Sequence, residues 1–380
     1  MHRRHLVGAL MASPCLALGR PSHAQEAAPV KEGDGWRQFE VTTRVTLSDA
    51  PGPAQLWLPL AQTAAGYQSA GALSWTTGHD TDIVRRVRDE RYGAPLLRVD
   101  FGGRTTATTD TPGAAAAGTP QGGIPQDAAK TITVVQQVET RTRGALPFAS
   151  LGMAERRFWT EPMPSAPTDG LVRETAERIT AGRTGDRARL RALYDWVVDT
   201  TYRRAEIPGC GTGDYVSMLQ SGVFGGKCAD INGLLVGLAR SIGLPARDVY
   251  GIRVAASQLA ASLGRGGDIS RAQHCRAEVF LDDEGWFPVD PADVRKVILE
   301  QHLEADSRLV RDLRERLFGH WEMNWIGYNS ATDLEFPDSG ARRPNFAFLM
   351  YPCAFTSAGQ PDCLDPAGFR YEITSRELTA

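Results

Sequence analysis

Lysine is scarce in this chain. Of 42 basic residues only Lys31, Lys130, Lys227 and Lys296 are lysines; the rest are arginine. No run of five like charges occurs, and 45 acidic residues leave a formal charge of −3. Both facts argue against a nucleic-acid or anionic-membrane partner. HExxH and CxxC are missing and the seven histidines are scattered, so no metal-binding spacing stands out. The glycine-rich stretch 209–213 (GCGTG) lacks a following Lys-Ser/Thr and opens no strand-loop-helix phosphate site, which excludes nucleotide binding. No cofactor is expected. Beyond the N-terminus no segment reaches the ~18 apolar residues that a membrane-spanning helix needs.

What is there is ordinary globular composition: 380 residues, 42% hydrophobic and 23% charged, enough for two or three domains with a sizeable core. The N-terminus sets the compartment. A basic start (Met1 to Arg4), an apolar stretch over residues 6–18 and a small-x-small site at Ser22-His23-Ala24 follow the order of a secretory signal. Residues 1–24 are expected to be cleaved and the protein to be periplasmic or secreted. Cleavage removes three arginines and takes the formal charge from −3 to −6. Cys210, Cys228, Cys275, Cys353 and Cys363 remain, and an odd count in an oxidising compartment leaves at least one thiol free. Cys353 and Cys363 enclose a short Gly/Pro loop and are expected to form a disulfide; Cys210 and Cys275 are the other candidates for pairing.

Residues 36–150 read as a β domain. Phe39, Val41, Thr43 and Val45 alternate with Glu40, Thr42, Arg44 and Thr46, and further β-rich runs follow at 55–60, 83–87, 96–101 and 131–139. Many short strands with turn signals between them predict an antiparallel sandwich. Residues 102–130, rich in Thr, Ala, Gly and Pro, read as a flexible loop inserted in it. Pro162, Pro164 and Pro167 mark a linker, and helices follow with Leu171, Ala176 and Ile179 on one face and Leu190, Leu193, Tyr194, Val197 and Val198 on the next. After Gly225-Gly226-Lys227-Cys228, an apolar stripe of Ile231, Leu234, Leu235, Leu238 and Ile242 predicts a helix that begins at the cysteine. Strands at 248–254 and 274–281 come next, with a hairpin return through 286–290. Residues 301–380 are expected to be an extension with a charged amphipathic helix (Leu303, Val310, Leu313, Leu317) and strand material. Trp321, Trp325 and Tyr328 read as core aromatics, as do Tyr202 and Tyr215.

Cys228 follows two glycines at a helix start, where free N–H groups and the helix dipole favour a thiolate and an oxyanion. A thiolate nucleophile needs a base, and the base an orienting group. If Leu281 pairs with Gly285 across the loop 282–284, Arg276 lies opposite Asp290 and His274 lies diagonal to it on the same face, within reach of its carboxylate. A slip of one residue would point the two to opposite faces. The chain therefore can build Cys228, His274 and Asp290 into one site, with Asp230 and Asn232 as candidate supports.

Three stretches, GGKCADINGLLVGLARSIGLPAR at 225–247, HCRAEVFL from His274 and GWFPVDPAD at 285–293, resemble the core of the bacterial transglutaminase-like superfamily. The resemblance runs from about Asp186 to Lys296. It implies an α+β protein: an N-terminal Ig-like β-sandwich, a papain-like transglutaminase core at 165–300 and a C-terminal extension. It also implies that Cys228 is the nucleophile, His274 the base and Asp290 its orienting group. An aromatic residue is usual two positions after the histidine; Arg276 replaces it, which leaves the shape of the substrate cleft open. The function implied is an exported thiol acyl-transfer enzyme acting on peptide or isopeptide bonds of a peptide or protein substrate, by hydrolysis or by transamidation. The alternative is an inactive envelope binding protein of the same fold.

Overall fold

Alternation decides the first strands. Phe39, Val41, Val45 and Leu47 are buried in β1 (Arg37–Leu47) while most residues between them face outward. β2 (Ala54–Pro59), β3 (Gln68–Thr77), β4 (Ile83–Arg88), β5 (Pro95–Phe101) and β6 (Lys130–Thr140) follow. This computed structural model describes residues 35–48, 50–64, 66–102, 129–144, 150–336, 348–365 and 369–378. The signal expected at 1–24 and most of the loop expected at 102–130 lie outside the described residues.

The helical half holds α1 (Met153–Phe158), α2 (Gly170–Thr180), α3 (Asp186–Thr200), β7 (Tyr202–Arg203), α4 (Tyr215–Ser221), β8 (Gly225–Gly226) and α5 (Cys228–Ser241). Next come β9 (Ala246–Arg253), β10 (Gly267–Asp268), β11 (Gln273–Leu281), β12 (Gly285–Val289), α6 (Pro291–Glu300) and α7 (Arg308–Arg316). The last strands are β13 (Trp325–Asn329), β14 (Cys353–Thr356) and β15 (Arg370–Leu378). The result is a mixed α and β protein with several antiparallel sheets.

Two sheets, ordered β10-β15-β1-β6-β3 and β14-β2-β5-β4, share one apolar cluster that includes Val45 and Val134 from the first and Leu56 and Val99 from the second. The strands of residues 301–380 are distributed among the sheets: β13 extends the core sheet, β14 pairs with β2, and β15 pairs with β1 from Gln38↔Leu378 to Thr46↔Arg370. The core sheet runs β12-β11-β9-β13, and α5 lies against β11.

Three expectations need correction. Leu171 is exposed and Val172 is buried instead, while Ala176 is buried and Ile179 packs against the core as expected. Tyr202 is exposed as well, whereas Tyr215 is buried as expected and donates to the Pro167 carbonyl at 2.7 Å. The expected disulfides are not formed: no two of the five described cysteines stand at disulfide distance. Cys353 joins the cluster of Trp57 and Leu96, while Cys363 packs at the margin of two other clusters. Cys210 donates to the Gln273 carbonyl at 3.3 Å, and both it and Cys275 neighbour Cys228.

Candidate active site

The helix that carries Cys228 is built from its first turn. Lys227 is its N-cap in extended backbone, and the Asp230 carboxylate accepts from the Lys227 N–H at 2.8 Å. The other oxygen of Asp230 accepts from the N–H groups of Thr212 (3.0 Å) and Gly213 (2.8 Å), fastening the GCGTG loop to the helix. Gly211 makes this possible: its φ is 90°, and a Cβ there would collide with the Asp230 carboxylate. The Ala229 N–H then donates to the Cys210 carbonyl at 3.0 Å. Every residue of α5 is buried, so the predicted apolar stripe is one side of a helix covered all round.

His274 and Asp290 come from a hairpin in the register that the three-residue loop requires, with Leu281 opposite Gly285 and Ala277 opposite Val289. Asp290 is the N-cap of α6, with Pro291 at the first helical position, and it accepts from the Asp293 N–H at 3.1 Å. The capping role fixes the carboxylate. His274 Nε2 lies 2.8 Å from Asp290 Oδ2, and both residues are buried. Asn232, one turn along α5 from Cys228, donates to Asp290 Oδ1 at 3.3 Å and to the Cys275 carbonyl at 2.8 Å. Its own carbonyl oxygen accepts from the Ala292 N–H at 3.3 Å, so one amide links the helix of Cys228 to the strand and turn of its partners. The structure thus brings Cys228, His274 and Asp290 together.

Two partners were missed in the sequence. Asp293 Oδ1 stands 3.3 Å from His274 Nε2 and forms a buried pair with Arg253 at 2.5 Å. The only local signal is the second carboxylate of DPAD, three residues on, where the first turn of a helix returns it to the same side. Arg276, the departure from the family pattern, is fully buried behind the site and not in the cleft. Its Nε is 3.5 Å from Asp290 Oδ2, and the guanidinium stacks over Trp325 at 4.8 Å.

The electrostatics follow. Interaction with the neighbouring thiols of Cys210 and then Cys275 outweighs burial; His274 adds to the effect, and the Cys228 thiol is held well below its ordinary pKa. Those neighbours move the other way: Cys210 is raised by Cys228 and then by burial, Cys275 by burial and then by Cys228. Burial and Arg253 push the His274 imidazole down, but Asp293 and Asp290 prevail and its pKa is raised. Against burial, Arg253 holds Asp293 well below the usual carboxylate range. His274, Asp290 and Asp293 offer three donor atoms within 4.8 Å of one another. Arg253 on Asp293 and Arg276 beside Asp290 already supply the positive charge that a metal ion would bring, so the group reads as an orienting cluster around the imidazole. A cavity of ≈ 740 Å³ opens onto Cys228 and His274.

A helix that opens on a cysteine thus packs on a sheet whose hairpin carries a His–Asp pair. Residues 173–291 match the transglutaminase-like superfamily, and the chain belongs to that superfamily. An uncharacterized protein of Haemophilus influenzae is 35% identical over 401 residues, covering 99% of this chain and all of the relative. A crystal structure of a proposed cysteine protease from Cytophaga hutchinsonii shares the fold at a TM-score of 0.52 and 12% identity, over 91% of this chain and 92% of that one. The periplasmic domain of TgpA from Pseudomonas aeruginosa aligns at a TM-score of 0.33 and 15% identity, over 73% of this chain and 92% of that one.

Proposed function

We propose that this protein is an exported thiol acyl-transfer enzyme that cleaves peptide or isopeptide amides through a Cys228 thioester. The observation that carries the reading is the alignment of His274 Nε2 on Asp290 Oδ2 at 2.8 Å, which leaves Nδ1 for the Cys228 thiol. The Cys228 thiolate attacks the amide carbonyl carbon. The His274 imidazolium gives its proton to the amine nitrogen as the C–N bond breaks, leaving an acyl thioester. Water then adds to the thioester, its proton passes to His274, and the S–C bond breaks to release a carboxylate. The Cys228 N–H, at the first helical position and without an intrahelical acceptor, is the oxyanion donor in this scheme. In this reading hydrolysis is favoured over transamidation, which would need a second site for an amine substrate. Residues 36–150 are assigned to an Ig-like sandwich domain, 165–300 to the catalytic core and 301–380 to an extension. Export rests on the N-terminal sequence; among the described residues no helix is long and apolar enough to cross a membrane.

The test is the rate of Cys228 alkylation by iodoacetamide from pH 4 to 10, read by peptide mass spectrometry in wild type and His274→Ala. Fast labelling well below the ~8.5 of a free thiol, lost in the variant, is the expected result. A profile that follows an ordinary thiol in both proteins would replace this reading with the envelope binding protein.

A further inference from the structure

The cavity in front of Cys228 is strongly unbalanced in charge. Arg203, Lys227, Arg253, Arg265, Arg271 and Lys296 line it, against one lining carboxylate, Glu300, among the described residues. Arg253 is neutralised by Asp293 at 2.5 Å, and Glu300 is shared between Arg203 at 3.6 Å and Lys296 at 3.8 Å. Lys227, Arg265 and Arg271 have no ion pair among the described residues. Asp268 accepts from Ser270 and is held low by that contact and, less, by Arg265 and Arg271, but it makes no ion pair with either and does not line the cavity. This accumulation sits in a chain whose formal charge is −3. Both lysines are lowered, with burial the larger cause and a neighbouring arginine the second: Arg253 for Lys296, which is pushed down to about 8, and Arg203 for Lys227. A bound anion would relieve that field. Arg265 and Arg271 are exposed residues of the lining, in reach of an arriving substrate.

We infer that this cavity is a carboxylate-binding subsite and that the substrate is an acidic peptide, with carboxylate side chains within a few residues of the amide that Cys228 attacks. The inference rests on the reading of Cys228 as an activated thiol and supplies its substrate class. Charges confined in a cleft act over such distances with little screening, so they select the sign of the ligand and speed its arrival. Exposed guanidinium groups in the lining favour carboxylates, whose two oxygens match their fork.

The experiment compares two alkylating agents of nearly equal size on the purified protein. Iodoacetate carries a carboxylate and iodoacetamide does not; in each, the thiolate displaces iodide to form a thioether. The readout is the ratio of their rate constants at Cys228 for wild type, Arg265→Gln/Arg271→Gln and, as a distant charge control, Arg308→Gln. The ratio is expected to fall about fivefold in the double variant, to stay at the wild-type value in the control, and to collapse in 1 M NaCl, where the Debye length is about 3 Å. In the second arm, acetyl-Glu-Ala-Glu-amide is expected to slow alkylation by iodoacetamide at concentrations where acetyl-Gln-Ala-Gln-amide does not. A ratio indifferent to both the double variant and salt would overturn the inference, as would equal protection by the two peptides. Protection by glutarate equal to that of the acidic peptide would replace the peptide subsite with a simple anion site. These failures differ from that of the underlying reading, in which both reagents react at the rate of an ordinary thiol.

Discussion

β1 and β11 are both antiparallel strands of similar length, yet they are made differently. β1 alternates buried Phe39, Val41, Val45 and Leu47 with polar neighbours, because the other face of its sheet meets water. β11, Gln273–Leu281, is buried at all nine positions, His274, Arg276 and Glu278 included. A sheet covered on both sides has no face for charge to leave by. Each charged group in β11 is therefore paired inside: Glu278 with Arg143 at 3.1 Å and Arg247 at 2.7 Å, Arg276 and His274 with Asp290. The polar residues of β1 decorate a surface, whereas those of β11 form a network that holds an imidazole in place.

The largest expected break of this contrast is Glu278→Ala. It leaves Arg143 buried without its carboxylate, and the loss should be about 3–5 kcal/mol in urea unfolding at pH 7. The loss depends on pH. Although burial raises the Glu278 pKa, Arg247 and Arg143 prevail and hold it below the ordinary 4.5. The pairing therefore contributes fully above that value, and the difference between wild type and variant should shrink as pH falls through the lowered pKa. Asn232→Ala comes next. It removes the amide that joins Cys228's helix to Asp290 and should cost about 1–3 kcal/mol, with a drop in the iodoacetamide rate at pH 6 as Asp290 loses a donor. A stability loss with no change in that rate would make Asn232 a core residue only. The smallest effect belongs to the surface strand: Glu40→Ala breaks an exposed contact with Arg376 at 2.8 Å and should shift stability by under about 0.5 kcal/mol. Should Glu40→Ala match Glu278→Ala, the distinction between the two strands would fall.

Legibility in the sequence follows the same division. β1 was readable from its period two, and β2, β4, β5 and β6 from β-rich composition bounded by turn residues. β3 was not: most of Gln68–Thr77 is exposed or half-buried, with Gly71, Ser74 and Thr76 among its residues, so no apolar alternation marks it. The pairing of β15 with β1 was equally invisible, since it joins residues some 340 apart through backbone hydrogen bonds that no local pattern records. Cys353 and Cys363 misled because closeness in sequence is a weak guide to the Cα distance and direction that a disulfide needs.

Some of the site was determined by sequence alone. Two glycines before Cys228 and an apolar run after it set a helix start, and a three-residue loop between two β runs sets the register that puts His274 and Asp290 on one face. These depend on local backbone geometry and on side-chain periodicity, both of which short stretches carry. Only the tertiary structure decided that Asp293 and Arg253 stand behind the imidazole, that Cys210 and Cys275 neighbour Cys228, and that cations from five separate segments converge on one cavity. Those neighbours are set by how α5, β9, β11, α6 and the loops between them pack. Electrostatic coupling depends on distance in space and on the loss of water, and neither is written in the order of residues along the chain.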